Sequence, residues 1–247
     1  MSNRYDNIAP YYDLLVQKGY YDYVESSKSL HSIIKDRKKI LEIGVGTGLL
    51  AEQLLALNPN YDLTGIDITP AMLDIAKSRL GGKAKLLESD VLSMDFPESF
   101  DVIYSHAGPI GFGKAGEVLQ FGSFLLNLED NLKALKKIAD CLVPLGLLVV
   151  DIERIESHNN RVVDFEQELE NGIVYSHTVR ESLIEGKEMY FVDKEYFFKK
   201  GDRILARDRA KFFRVYGQVL EDLLMKAGFE LNEDASNNLY LVYQKVN

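Results

Sequence analysis

The chain has 247 residues, a single cysteine and a formal net charge of −9. That length can bury one sizeable core, and the acidic balance argues against nucleic acid or an anionic membrane as partner, because such binders present a basic face. Cys141 has no second thiol to pair with, the N-terminus lacks an apolar leader and no apolar run reaches bilayer length, so a soluble cytoplasmic protein is expected.

Residues 1–38 are rich in tyrosine: Tyr5, Tyr11, Tyr12, Tyr20, Tyr21 and Tyr23. A helix is expected over Tyr23–Ile34, and the polar Asp36-Arg37-Lys38-Lys39 breaks it off. Lys39 to Leu50 then joins an apolar run, three alternating glycines (Gly44, Gly46, Gly48) and an apolar-periodic segment, which predicts strand, tight turn and helix. Such a turn can cradle a nucleotide, since bare main chain and the free N–H groups of a helix start face the ligand.

The second strand, Asp62–Asp67, ends in a carboxylate 67 − 48 = 19 residues after the last glycine. At that place an acid can accept hydrogen bonds from both hydroxyls of a ribose. Gly46, Gly48 and Ala51 also fit dinucleotide spacing, so NAD(P) remains the alternative ligand. Thr69 and Pro70 start a helix that Gly81-Gly82 ends, a third strand follows at Lys83–Glu88, and Phe100–Ser105 reads as a fourth, buried on both faces.

Beyond it, Ser105–Gly113 reads as a glycine-rich loop at a strand's carboxyl end, where sites cluster in open α/β sheets. His106 is its one histidine and a candidate to deprotonate or orient a substrate. Asn127–Cys141 is an amphipathic helix and Gly146–Ile152 a fifth buried strand. From Arg161 to Arg209 the alternation has period two, broken at 170–172, 185–187 and 200–202, so consecutive hairpins are expected. A helix over 215–227, Gly228 and strands at Phe229–Asp234 and Leu239–Val246 complete the chain.

Four of these segments, in order, resemble the motifs of the class I S-adenosylmethionine-dependent methyltransferases: Leu41-Glu42-Ile43-Gly44-x-Gly46-x-Gly48, Gly65–Leu73, Leu87–Val91 and Phe100–Ser105. The resemblance implies a Rossmann-like α/β fold with a seven-stranded sheet in the order 3-2-1-4-5-7-6, last strand antiparallel. It also implies an antiparallel insertion after strand 5. The expected divisions are a helical lid (1–38), a cofactor-binding core (39–153), an insertion over the substrate (154–213) and a closing helix and hairpin (214–247).

By the same resemblance S-adenosyl-L-methionine is the cofactor and S-adenosyl-L-homocysteine the product. Glu42, Gly44, Gly46, Gly48, Asp67, Ile68, Met72, Asp90, Val91 and Ser105 would bind it, and Tyr12, in a segment similar to the family's lid, would lie near the reacting centre. Met72 also suits plain core and Asp90 a turn cap.

The loop after strand 4 lacks the Asn/Asp-Pro-Pro-Tyr pattern of enzymes that methylate nucleic-acid bases or protein glutamine, which turns the expectation to a small-molecule acceptor. Similarity to glycine and amino-sugar N-methyltransferases favours nitrogen over oxygen. His106 and Tyr12 are the catalytic candidates, with Glu153 behind them. No metal is expected, and a homodimer is allowed. The alternatives are an NAD(P)-dependent oxidoreductase, or a binding protein or cyclase on the same fold.

Overall fold

The computed structural model describes residues 5–17, 21–155 and 162–246. Tyr20 and residues 156–161, part of the expected insertion, lie outside them. In chain order the elements are α1 (Ala9–Gln17), α2 (Tyr23–Ile34), β1 (Lys39–Ile43), α3 (Leu49–Leu57), β2 (Asp62–Asp67), α4 (Pro70–Leu80), β3 (Lys85–Glu88) and β4 (Phe100–Ser105). Then follow β5 (Ile110–Ala115), β6 (Val118–Ser123), α5 (Leu128–Cys141), β7 (Leu142–Arg154), β8 (Val162–Glu168), β9 (Ile173–Leu183), β10 (Met189–Lys200), β11 (Arg203–Tyr216), α6 (Gly217–Ala227), β12 (Phe229–Leu231) and β13 (Tyr240–Lys245).

The first sheet runs β3-β2-β1-β4-β7, all parallel, and continues through β13 to β12. β13 is antiparallel to both its neighbours. Numbered by their place in this sheet, the strands give the expected order 3-2-1-4-5-7-6 with the last antiparallel. The central strands carry continuous apolar side chains because helices cover both faces. Ile40, Leu41, Val102, Ile103, Val149 and Val150 are all fully buried.

Local chemistry sets the helix ends. The Asn127 side chain accepts the Asp130 N–H at the start of α5, and left-handed glycines, Gly81 and Gly228, stop α4 and α6. Thr69 precedes α4 as expected but its side chain makes no cap bond. Its hydroxyl instead lies 3.5 Å from the Tyr5 N–H, tying the N-terminal segment to the second strand.

The second sheet is larger than the sequence reading allowed. Its order is β7-β5-β6-β11-β10-β9-β8. The expected glycine-rich loop is therefore a loop only as far as Pro109, and Ile110–Ala115 is a strand hairpinned to β6. Its glycines alternate with Ile110 and Phe112, both buried, so one face packs into the core while the other has no side chains. β7 belongs to both sheets. It pairs with β4 and β13 up to Asp151, then with β5 from Ile152 onward.

The N-terminal segment lies over both sheets. Asp208 on β11 accepts the N–H groups of Asn7 and Ile8 at 3.1 and 3.0 Å, and Tyr11 stacks on Phe198. At the other end of α1, Asp13 accepts the Thr47 hydroxyl at 2.7 Å and pairs with Arg79, whose Nε donates to the Thr47 carbonyl at 2.9 Å. No helix among the described residues is long and apolar enough to cross a membrane.

Candidate active site

Two cavities meet at the carboxyl ends of the first sheet's strands. The first, about 810 Å³, is lined by the glycine turn after β1, the tip of β2, the start of α4 and the segment after β3. The second, about 860 Å³, lies between α1 and the open face of the second sheet. Tyr5, Tyr12, Ala107, Gly108, Ile110 and Phe124 line both.

The first cavity is built largely from main chain. Gly44 turns through φ +78°, and a Cβ there would lie 2.3 Å from Cδ of Pro109, so only glycine lets the β1 turn and the post-β4 loop close on each other. Gly46 donates its N–H to Oδ2 of Asp67 at 2.9 Å, and Thr69 donates to Oδ1 at 2.8 Å. Each carboxylate oxygen retains a second acceptor site. Burial raises the Asp67 pKa, and those N–H bonds hold the rise back. Ile68, Met72 and Val91 make an apolar wall, and Asp90 stands at its edge, its Oδ1 accepting the Leu92 N–H at 2.8 Å.

Three expected cofactor contacts do not reach this cavity. Gly48 caps α3 with φ +79°, and a Cβ there would press on Ala76 and Leu80, so it serves the packing of α3 on α4. Ser105 is fully buried and donates to the Ile110 carbonyl at 2.8 Å. Glu42 is buried beneath the turn, where Oε2 accepts the Tyr104 hydroxyl at 2.8 Å, and burial pushes its pKa up to about 8.

His106 also stands away from both cavities. It lies among Tyr21, Tyr23 and Tyr240, with Nδ1 3.2 Å from the Tyr240 hydroxyl and Nε2 buried without a hydrogen-bond partner among the described residues. Burial pulls its pKa down to about 4, so the ring is neutral at physiological pH. Its Nδ1 also lies 3.9 Å from Oδ2 of Asp151, so the ring backs a residue that lines the second cavity without lining it itself.

The residue after it matters more. Ala107 takes a left-handed conformation, φ +50°, rare for a side chain with a Cβ, and so turns its N–H onto Oδ2 of Asp151 at 3.0 Å. Asp151 lines the second cavity from the end of β7's central stretch, and its Oδ1 is buried with no hydrogen-bond partner among the described residues. Burial raises its pKa to about 7. The sequence reading passed over Asp151 as part of a buried strand. An acid closing an otherwise apolar run, Leu147 to Val150, was the available signal.

Around Asp151 the second cavity is aromatic, with Tyr5, Tyr12, Tyr175, Tyr196 and Phe124, and carries Glu153, Lys194 and Arg214. Glu153 is 65% exposed and 3.8 Å from Nη2 of Arg214. Tyr12 reaches both cavities as expected. No cluster of metal ligands occurs among the described residues.

The comparisons with known proteins agree with this geometry. Residues 40–146 match the methyltransferase domain family. A demethylmenaquinone methyltransferase of Chlamydia pneumoniae is 30% identical over 148 residues, covering 58% of this chain and 57% of that protein. The chain thus spans little more than half the length of that curated relative. Among solved structures, an amino pentose methyltransferase from Micromonospora echinaspora, bound to S-adenosylmethionine, aligns with a TM-score of 0.66 at 17% identity, covering 95% of this chain and 96% of its own. An S-adenosylmethionine-dependent methyltransferase from Clostridium acetobutylicum aligns with a TM-score of 0.67 at 17% identity, covering 97% and 98%. Residues 40–146 thus match the methyltransferase domain family, and the chain shares the fold of solved S-adenosylmethionine-dependent methyltransferases.

Proposed function

We propose that this protein transfers the methyl group of S-adenosylmethionine to the nitrogen of a small-molecule amine. One observation carries the reading: the two cavities share a wall of tyrosines, and Asp151, which lines the second, holds a buried carboxylate oxygen, Oδ1, that has no partner among the described residues.

The first cavity fits the cofactor. Asp67 keeps acceptor capacity for ribose hydroxyls, Ile68, Met72 and Val91 suit the flat face of an adenine, and the exposed main chain at Gly44 and Gly46 suits the methionine portion. Bound there, it supplies a methyl group on a sulfonium that departs as the neutral thioether of S-adenosylhomocysteine. The protein's own work is to hold the acceptor in line, exclude water and take one proton.

An amine arrives as an ammonium and must lose that proton before its lone pair can form the N–C bond. Aromatic faces attract the cation, and Tyr5 and Tyr12 lie where the two cavities join. Asp151, with a pKa near 7, accepts the proton at Oδ1, while the Ala107 N–H fixes Oδ2. A base of that strength is matched to an ammonium and far too weak for an aliphatic hydroxyl, which favours nitrogen over oxygen. The amino pentose methyltransferase and a sugar N-methyltransferase from Streptoalloteichus, both similar in fold, support the same choice.

A dinucleotide would need a second nucleotide-binding half where the β5–β6 hairpin and the second sheet stand. The test is calorimetric titration with S-adenosylmethionine and with NADH, followed by assay of S-adenosylhomocysteine released in the presence of primary and secondary amines. Binding of the first compound and amine-dependent release are expected. Heat from NADH alone would overturn the reading.

A further inference from the structure

The second cavity has another polar end. Gly111 and Gly113 of β5 share a face with Gly122 of β6, which pairs with Gly111 on one side and with Arg214 on the other. A Cβ at Gly113 would lie 2.9 Å from Nη1 of Arg214, and one at Gly122 would lie 3.4 Å from its Cγ and Nε. The missing side chains are what let Arg214 lie flat across the sheet. Glu153 stands near Nη2, and the guanidinium holds back the burial-raised pKa of the Tyr190 hydroxyl, which Glu181 pushes up and which donates to Oε1 of Gln120. Nη1 nevertheless is buried and has no hydrogen-bond partner among the described residues. A buried donor left unmatched is costly and uncommon, and at the wall of a cavity it is the kind of group that a ligand completes.

The same patch relates this donor to Asp151. A Cβ at Gly111 would lie 3.5 Å from Oδ1 of Asp151, just as one at Gly113 touches Arg214. Same-face neighbours on a strand are about 7 Å apart. Two residues that line one cavity therefore hold an unmatched acceptor and an unmatched cationic donor at roughly the span of a short bifunctional molecule. Lys194 lines the same space and adds to its positive end.

Resting on the reading of Asp151 as the amine's partner, we propose that the acceptor carries an anionic group, a carboxylate or a phosphate, a few bonds from its amine, and that Arg214 selects it. Arg214 is thus a specificity-determining residue, and the substrate class is the small zwitterion.

The experiment uses the full chain saturated with S-adenosylhomocysteine, titrated calorimetrically at pH 8 with β-alanine, 4-aminobutyrate and phosphoethanolamine, and with propylamine and butylamine as counterparts lacking the anion. At least one anionic amine is expected to bind tenfold or more tightly than the neutral ones. Which of the carboxylates and the phosphate wins identifies the anion. Arg214→Gln should erase that preference while still binding S-adenosylhomocysteine, whose cavity Arg214 does not line. Glu153→Gln, which removes the neighbouring carboxylate, should widen it two- to threefold. Equal binding of neutral and anionic amines, a preference that survives Arg214→Gln, or no effect of Glu153→Gln would overturn the proposal and leave the methyl-transfer reading standing. Failure to bind S-adenosylhomocysteine at all would instead strike that reading.

Discussion

The two cavities are made in different ways. The cofactor cleft is assembled from short stretches next to β1, β2 and β3, and much of its surface is main chain fixed by glycine geometry and the Asp67 hydrogen bonds. The second cavity is assembled from side chains as distant as Tyr12, Asp151, Lys194 and Arg214, brought together by the pairing of β7 with β5 and of β11 with β6. One site is specified locally and chemically general. The other is specified by topology and chemically particular.

That contrast can be broken by substitution. The largest effect is expected from Asp151→Asn, which keeps the shape and the Ala107 bond but cannot take a proton. Turnover should fall by about 10² to 10⁴-fold, the usual worth of a positioned base, with cofactor affinity within twofold of the parent. Because Asp151 must be ionised, wild-type kcat/KM should rise with pH through about 7, and the variant should lose that limb. A pH profile unchanged by the substitution would detach Asp151 from the chemistry.

Gly44→Ala probes the other cavity. The alanine must adopt φ +78° and collide with Pro109. Backbone strain of this kind costs roughly 1 to 3 kcal/mol, so S-adenosylmethionine should bind about 10- to 100-fold more weakly by calorimetry. An unaltered dissociation constant would show that the glycine turn does not shape the cofactor site.

Glu42 sharpens the comparison through stability. Its pKa is raised in the folded protein to about 8, so the folded state holds a proton that the unfolded chain gives up at lower pH. Stability from this group is full below the unfolded pKa of 4.5 and is lost as pH rises through about 8. Asp67 and Asp151 are raised as well and act in the same direction at lower pH. His106, depressed to about 4, acts oppositely below 6.5. Glu42→Gln should therefore gain stability over the parent as pH climbs from 6.5 to 8, by up to about 1.4 kcal/mol per pH unit, seen as a widening gap in melting temperature. A constant gap in thermal melts across that range would show that Glu42 is ionised in the fold.

The smallest effect is expected at His106. If the ring only packs among tyrosines, His106→Gln should leave turnover within about threefold of wild type, the modest range of substitutions away from reacting groups. A loss of two orders of magnitude in the same assay would restore the histidine to the mechanism.

The same division explains what could be read from the chain alone. The order of the seven-stranded sheet, the turns at 170–172, Gly186 and Gly201, and the cleft contacts of Gly44, Gly46, Asp67, Ile68, Met72, Asp90 and Val91 all rest on local motif or periodicity. Three things did not. The β5–β6 hairpin was hidden because its glycines resemble a loop, when they are the side-chain-free face of a strand. The enclosure of His106, read as a catalytic candidate in a loop, was hidden because nothing local announces that Tyr23 and Tyr240, 83 residues before and 134 after, will pack against it. Asp151 and Arg214 acquire meaning only through cross-strand register, which no single segment encodes.

The forked strand β7 has a further consequence. Asp151 pairs with β13 directly after Val150, the last residue of β7 paired with β4, so in the proposed reaction the layer that positions the methyl donor also positions the group receiving the proton. The outer strands could exchange their pocket-facing residues, and with them the molecule that is modified, while the alignment of donor and base stays as it is. A division of labour of that sort would let a lineage change customers without rebuilding the reaction.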